Sequence, residues 1–102
     1  MSALVTFHPL AAKEYVAARR WYERRREGLG LRFAFAVNAA LEKIEEAPER
    51  WPKFSETYGW VKTSRFPYVL YYHIVRPDLV LVVAVAHARR RPGYWRKRLD
   101  HP

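Results

Sequence analysis

The chain has no cysteine. This excludes disulfides, thiolate nucleophiles and cysteine-ligated zinc, and it suits a reducing cytoplasm. Long hydrophobic runs are also missing. The longest, LVLVVAVA at 79–86, is too short to span a bilayer. The opening residues, MSALVTFHPL, have no basic region followed by an apolar segment, so no signal peptide is visible. These absences point to a soluble, cytoplasmic protein with no membrane role. The four glycines are scattered, and neither a glycine-rich phosphate loop nor a GxSxG elbow occurs. Ser55 and Ser64 have no triad context. His8, His73, His87 and His101 show no short ligand spacing and no accompanying carboxylate pair, so no metal and no cofactor is expected. Carboxylates are themselves scarce, with 10 Asp and Glu against 19 Lys and Arg, which leaves a net charge of +9.

What is present reads as one domain over residues 1–102, half of it apolar and long enough to bury a single core without metal or disulfide support. The charge is unevenly placed. Residues 1–50 carry 9 Lys and Arg and 7 Asp and Glu, a net of +2, whereas residues 51–102 carry 10 and 3, a net of +7. Six of the eleven residues 88–98 are basic, with Pro92, Gly93, Tyr94 and Trp95 among them. Such a surface attracts nucleic acid or an acidic protein, and it also serves plain solubility.

Periodicity supplies the elements. Residues 4–7 suit a short strand, and Pro9 suits a helix start. Ala11, Tyr15, Ala18 and Tyr22 repeat at helical spacing over 10–26, with Trp21 widening the stripe. Gly28 and Gly30 punctuate the chain. Phe33, Val37, Ala40, Ile44 and Ala47 then mark a second helix over 30–47, stopped by Pro48. A short link between amphipathic helices implies an antiparallel hairpin. Residues 48–60 read as a connector. Strands follow at 60–66, 68–75 and 79–87, the last apolar on both parities and hence central and covered on both faces. A short helix is expected at 93–99. The order β-α-α-β-β-β predicts an α+β fold, its helical hairpin packed on one face of a small, mostly antiparallel sheet.

The residues left to do chemistry are Arg, Lys, Tyr, Trp and His. That set suits metal-free RNA cleavage. A histidine moves protons, an arginine stabilises the phosphorane, and aromatic rings stack an unpaired base. It equally suits simple binding. Arg65 reads as a phosphate contact or as an edge charge that blocks aggregation. His87 reads as a proton-transfer group or a structural strand end. Tyr94 and Trp95 read as a clamp that packs the tail onto the sheet. Arg89, Arg90 and Arg91 read as a solvated turn or as a binding surface that at most one or two of them share, and Arg96 and Arg98 as surface charge.

The segments FHPLAAKEYVAARRWYERRREGLGLRF, ALEKIEEAPERWPKF, VKTSRFPYVLYYHIV and LVLVVAVAHARRRPGYWRKR, in this order and spacing, resemble the RelE/ParE superfamily of toxins from bacterial type II toxin–antitoxin modules, often labelled plasmid stabilisation proteins. The resemblance implies the fold above and a cognate antitoxin whose acidic segment wraps the toxin in a hetero-oligomer. It also implies one of two growth-inhibiting activities. ParE-like members bind and block DNA gyrase, and RelE-like members cut mRNA on the ribosome without metal. For cleavage, the resemblance assigns catalytic roles to Arg65, His87 and Tyr94. For binding, the cationic segment itself offers Arg89, Arg90, Trp95 and Arg98. The H-x-R-R-x-P-x-Y-W ending tilts the resemblance towards the ParE-like branch.

Overall fold

A computed structural model describes residues 2–99; His101 and the rest of the extreme C-terminus lie outside the described residues. Strand β1 (Leu4–Phe7) leads into helix α1 (Pro9–Arg25), and helix α2 (Leu29–Glu46) returns antiparallel to it. The reversal takes three residues because Gly28 adopts a left-handed φ of 87°, a region open to glycine without steric cost. The Glu23 carboxylate accepts the Gly28 and Gly30 N–H groups at 3.0 and 2.9 Å. It thereby satisfies donors that the start of α2 would otherwise leave unpaired.

The sheet has five strands where the sequence suggests four. Residues read as a connector hold β2 (Lys53–Ser55), which pairs as a tight hairpin with β3 (Tyr58–Lys62). Then come β4 (Tyr68–Arg76) and β5 (Leu79–His87), in the spatial order β1-β5-β4-β3-β2. Only the β1–β5 pairing is parallel. The hairpin escapes a periodicity reading because β2 is too short to alternate and its residues are mostly polar.

A second departure concerns Arg65. The expected strand over 60–66 ends at Lys62. Thr63, nearly buried, donates its hydroxyl to the Phe66 and Tyr68 carbonyls, both at 3.1 Å, and its N–H to Tyr68 O at 2.9 Å. These bonds fold residues 63–67 into a tight loop, with exposed Arg65 at a left-handed φ of 69°.

Two cores sit on the two faces of the sheet. On the helix side, Phe33, Val37, Ala40 and Ile44 of α2 pack with Ala11 and Ala18 of α1 over Leu70, Tyr72, Val80, Val82 and Val85. Phe33 is the hub, with its ring centre 5.1–5.9 Å from those of Tyr15, Tyr22, Phe66 and Tyr68. On the other side, a smaller cluster of Val83, Ala84, Tyr71, Phe54 and Tyr58 is closed by fully buried Trp95. Neighbouring Tyr71 and Tyr72 face opposite sides, as strand geometry requires. A bulge in β5 reconciles that strand's unbroken apolar run with two faces. Tyr71 lies opposite Ala84 and Tyr72 opposite Val82, so Val83 is the extra residue.

Gly59 lies opposite Tyr72, whose ring covers it and whose hydroxyl donates to Pro48 O. A Cβ at position 59 would sit 2.5 Å from the Tyr72 ring. Gly59→Ala therefore has to displace a fully buried tyrosine and its hydrogen bond. The expected loss is about 1–3 kcal/mol of stability, measured by denaturant unfolding. An unchanged midpoint would contradict this packing.

Candidate functional site

The described residues converge on the end of β5. Strand β1 pairs with it only as far as Val82, and the final bond runs from His8 N–H to Val82 O at 2.9 Å. Past that point the Val83 carbonyl and the Val85 N–H face an edge with no strand on it. Side chains take the place of the missing strand. Glu14, from the second turn of α1, accepts the Val85 N–H at 3.0 Å, and Arg98 donates to Val83 O at 2.8 Å. The two side chains also pair with each other through two bonds, Nη1 to Oε1 at 2.8 Å and Nη2 to Oε2 at 2.7 Å. Tyr94 adds its hydroxyl to Glu14 Oε2 at 2.6 Å.

The C-terminal segment that brings these groups, residues 88–99, is held at further points. Trp95 fills the lower core, 5.0–5.3 Å from the ring centres of Phe54, Tyr58 and Tyr71. Its buried indole N–H has no partner among the described residues, so the ring is held by packing. His8 spans two elements. Nδ1 accepts the Leu10 N–H as the cap of α1, and Nε2 lies 3.1 Å from Arg98 O. With Nδ1 accepting, the neutral tautomer donates from Nε2 to that carbonyl. The segment ends in a single 3-10 turn, Arg96–Leu99, within the helix expected at 93–99.

Electrostatics follow from this geometry. Burial alone would raise the Glu14 carboxyl. The hydrogen bonds from Arg98, Tyr94 and Val85, with the Arg98 charge, outweigh it and hold the group below its usual value. The Tyr94 hydroxyl is raised far above the ordinary tyrosine range, by burial first and then by donation to Glu14. Its ring lies 4.0 Å from the Arg90 guanidinium and 5.0 Å from that of Arg98.

Beside this network is an open groove of about 610 Å³, floored by Ala18, Val85 and Ala86, walled by Trp21, Tyr22 and Tyr68, and rimmed by His87 and Arg90. Trp21 is not core, as the helical stripe suggests. It is 48% exposed, with the Arg25 guanidinium 4.3 Å from its ring centre. His87 Nδ1 accepts the Arg89 N–H at 3.1 Å, so the ring caps the turn that leaves β5 while lining the groove.

The structure thus brings together His87, Arg90, Tyr94 and Arg98, and separates Arg65. Arg65 lines a different cavity with Leu29, Arg32, Phe35 and Phe66. Arg89 is exposed. Arg98 is turned inward onto Glu14, with its side chain 12% exposed, rather than outward to a partner. Trp95 is wholly inside. Among the described residues, no group of three or more His, Asp or Glu is placed to hold a metal ion.

A family model described as the ParE toxin of the type II toxin–antitoxin system parDE matches residues 5–92. The chain belongs to the ParE toxin family. It is thereby a toxin of the RelE/ParE superfamily. A solved structure from P. aeruginosa, described as a chromosomal ParDE toxin–antitoxin system, has the same fold. It superposes with a TM-score of 0.67 at 11% identity, covering 84% of this chain and 96% of that one. No match was found among curated proteins. The ParE match stops at Pro92, so Tyr94, Trp95 and Arg98 lie beyond the stretch that establishes the family.

Glu14 is the residue that sequence reasoning passes over. It stands at i+3 from Ala11 and i−4 from Ala18, both buried. A carboxylate on an apolar stripe has to find donors, which is a readable signal. Its partners, 71 to 84 residues away, are not readable. Because its pKa is lowered in the fold, the stability that Glu14 contributes is complete above the ordinary value of 4.5 and is lost as pH falls through the lower folded value. Glu14→Gln leaves Arg98 uncompensated and is expected to cost about 2–3 kcal/mol at neutral pH. The gap in melting temperature from wild type should shrink below pH 4.5. A gap that stays constant down to pH 3 would rule out a charged Glu14 as its source (~2 kcal/mol at stake).

Proposed function

We propose that this ParE-family toxin arrests growth by binding DNA gyrase, and that a cognate antitoxin neutralises it through an acidic segment, forming a toxin–antitoxin hetero-oligomer in the cytoplasm. The observation that carries the reading is the state of Tyr94. A catalytic tyrosine must give or take a proton at the scissile phosphate. Here the hydroxyl is spent on Glu14 inside a network that holds the chain's C-terminal segment in place. The other two residues of the cleavage set, Arg65 and His87, line separate cavities. A binding toxin needs no such convergence. It needs a stable, shaped surface, and the groove rimmed by His87 and Arg90, with exposed Trp21 and Arg89, supplies one. The ParE family match supports the same target. A net charge of +9 suits an acidic antitoxin. Among the described residues, no helix is long and apolar enough to cross a membrane.

The test pairs two assays on the purified chain: inhibition of supercoiling by gyrase, and cleavage of mRNA on translating ribosomes. Supercoiling is expected to stop, with transcripts left intact. Arg90→Ala should weaken the inhibition by about tenfold, and Tyr94→Phe should preserve it at temperatures where the variant stays folded. Cleaved mRNA, with cleavage lost in Tyr94→Phe, would establish the ribosome-dependent endoribonuclease instead.

A further inference from the structure

Four stretches that lie far apart in sequence meet at one end of the molecule. The C-terminal part of α1 reaches the 63–67 loop, with the Tyr22 and Phe66 ring centres 4.8 Å apart. The start of α2 joins them, since Arg32 and Arg65 line one cavity. The turn after β5 closes the group through the Ala88 N–H, which donates to Pro67 O at 2.7 Å. Each stretch brings exposed cations to this end: Arg25 from α1, Arg32 from α2, Lys62 and Arg65 around the loop, and Arg89 and Arg90 from the turn. None of them takes part in an ion pair among the described residues. Of the carboxylates nearby, Glu14 is spent on Arg98 and Glu23 on the Gly28 and Gly30 N–H groups, while Glu27 at the helix junction is exposed. Acidic residues gather at the opposite end. There the Ala3 N–H donates to Glu45 O, the Leu4 N–H to Asp78 O and the Ile74 N–H to Thr57 O. These bonds bring together the end of α2, the β4–β5 turn and the turn at Glu56, with Lys43, Arg50 and Arg76 interspersed. The nine residues of β5 separate the two ends by roughly 26 Å.

We propose that this basic end of the molecule binds the phosphate backbone of duplex DNA. A phosphodiester chain carries a charge at every step, and cations that stand on several elements, free of carboxylate partners, follow such a chain. Interfaces with DNA are far more positively charged than interfaces between proteins, and charge of one sign fits the former. A paired strand also fits better than an unpaired one. Unpaired bases need open aromatic faces to stack on, and the rings at this end already carry partners. Arg25 lies on Trp21, Arg90 lies on Tyr94, and Phe66 and Tyr68 pack on Phe33. The contact therefore holds backbone and does not read sequence. The inference goes beyond the target proposed above, and adds to it a means of concentrating the toxin on the DNA that gyrase handles.

The test is a fluorescence anisotropy titration of the full chain with a labelled DNA duplex of arbitrary sequence, repeated over a range of salt, with neither gyrase nor ribosomes present. Two triple variants remove equal charge from opposite ends. One carries Arg32→Gln, Arg65→Gly and Arg89→Gln, and the other carries Lys43→Gln, Arg50→Gln and Arg76→Gln. Binding is measured at a temperature where circular dichroism shows both to be folded; glycine suits the left-handed φ at position 65. The wild-type chain should bind the duplex, with log affinity falling linearly in log salt. The basic-end triple should weaken binding by about tenfold or more and flatten that slope by about 3, roughly one for each cation removed. The opposite-end triple should keep the wild-type slope. Four results would each overturn the proposal: no binding at low salt, equal weakening by the two triples, tighter binding of a single strand of the same length, and displacement of the duplex by polyglutamate more readily than by unlabelled duplex. Because the assay contains no gyrase, its failure leaves the gyrase reading standing, and failure of the supercoiling assay leaves this inference standing.

Discussion

A four-residue strand lies against a nine-residue one, and the rest of the molecule is arranged around that mismatch. Once β1 ends at Phe7, the far half of β5 runs on with an open edge. Buried backbone groups without partners are costly, so the edge must be covered. Glu14 and Arg98 cover it as a strand would, one accepting and one donating, and each satisfies the other's remaining charge. Because Glu14 comes from α1 and Arg98 from the C-terminus, covering the edge also ties the helical layer, the sheet and the terminal segment together. The Val83 bulge belongs to the same solution. It lets five consecutive apolar residues of β5 serve two cores.

This arrangement sorts the basic residues of the second half. Arg98 is internal and structural. Arg90 stacks on Tyr94 at the groove rim, Arg96 lies 4.8 Å from the Phe54 ring centre, and Arg89 and Arg91 are left to solvent. The cationic C-terminus is therefore anchored by Trp95 and one neutralised guanidinium, and it displays the remaining charge outward. For a member of a toxin family, a fixed display of this kind favours recognition by shape and charge. The tyrosine nearest the basic cluster is committed to the anchor.

Much of this was legible beforehand, because it rests on local rules. The helical stripes at Ala11–Ala18 and Phe33–Ile44, the stop at Pro48, the opposed faces of Tyr71 and Tyr72, and a terminal clamp made by Trp95 all follow from periodicity and side-chain chemistry. What was hidden depends on partners far apart in the chain. The β2–β3 hairpin has too few residues to show a period. The left-handed loop at Arg65 is set by Thr63 reaching forward to two carbonyls. The inward turn of Arg98 is set by a carboxylate 84 residues away. Arg65 and His87 are both well placed to look catalytic in sequence, but the fold carries them to separate cavities.

The central claim is that side chains close the end of β5 and thereby lock the C-terminal segment to the core. Amide hydrogen exchange at Val85, whose N–H is held by Glu14 rather than by a strand, tests it most directly. The account predicts that Val85 and the Arg98 amide exchange only through global unfolding, as slowly as the fully buried core at Leu70. Exchange at Val85 and Arg98 that is fast while Leu70 stays protected would contradict it. In that case the terminal segment would open independently of the fold, and Tyr94 would be freed from the anchor.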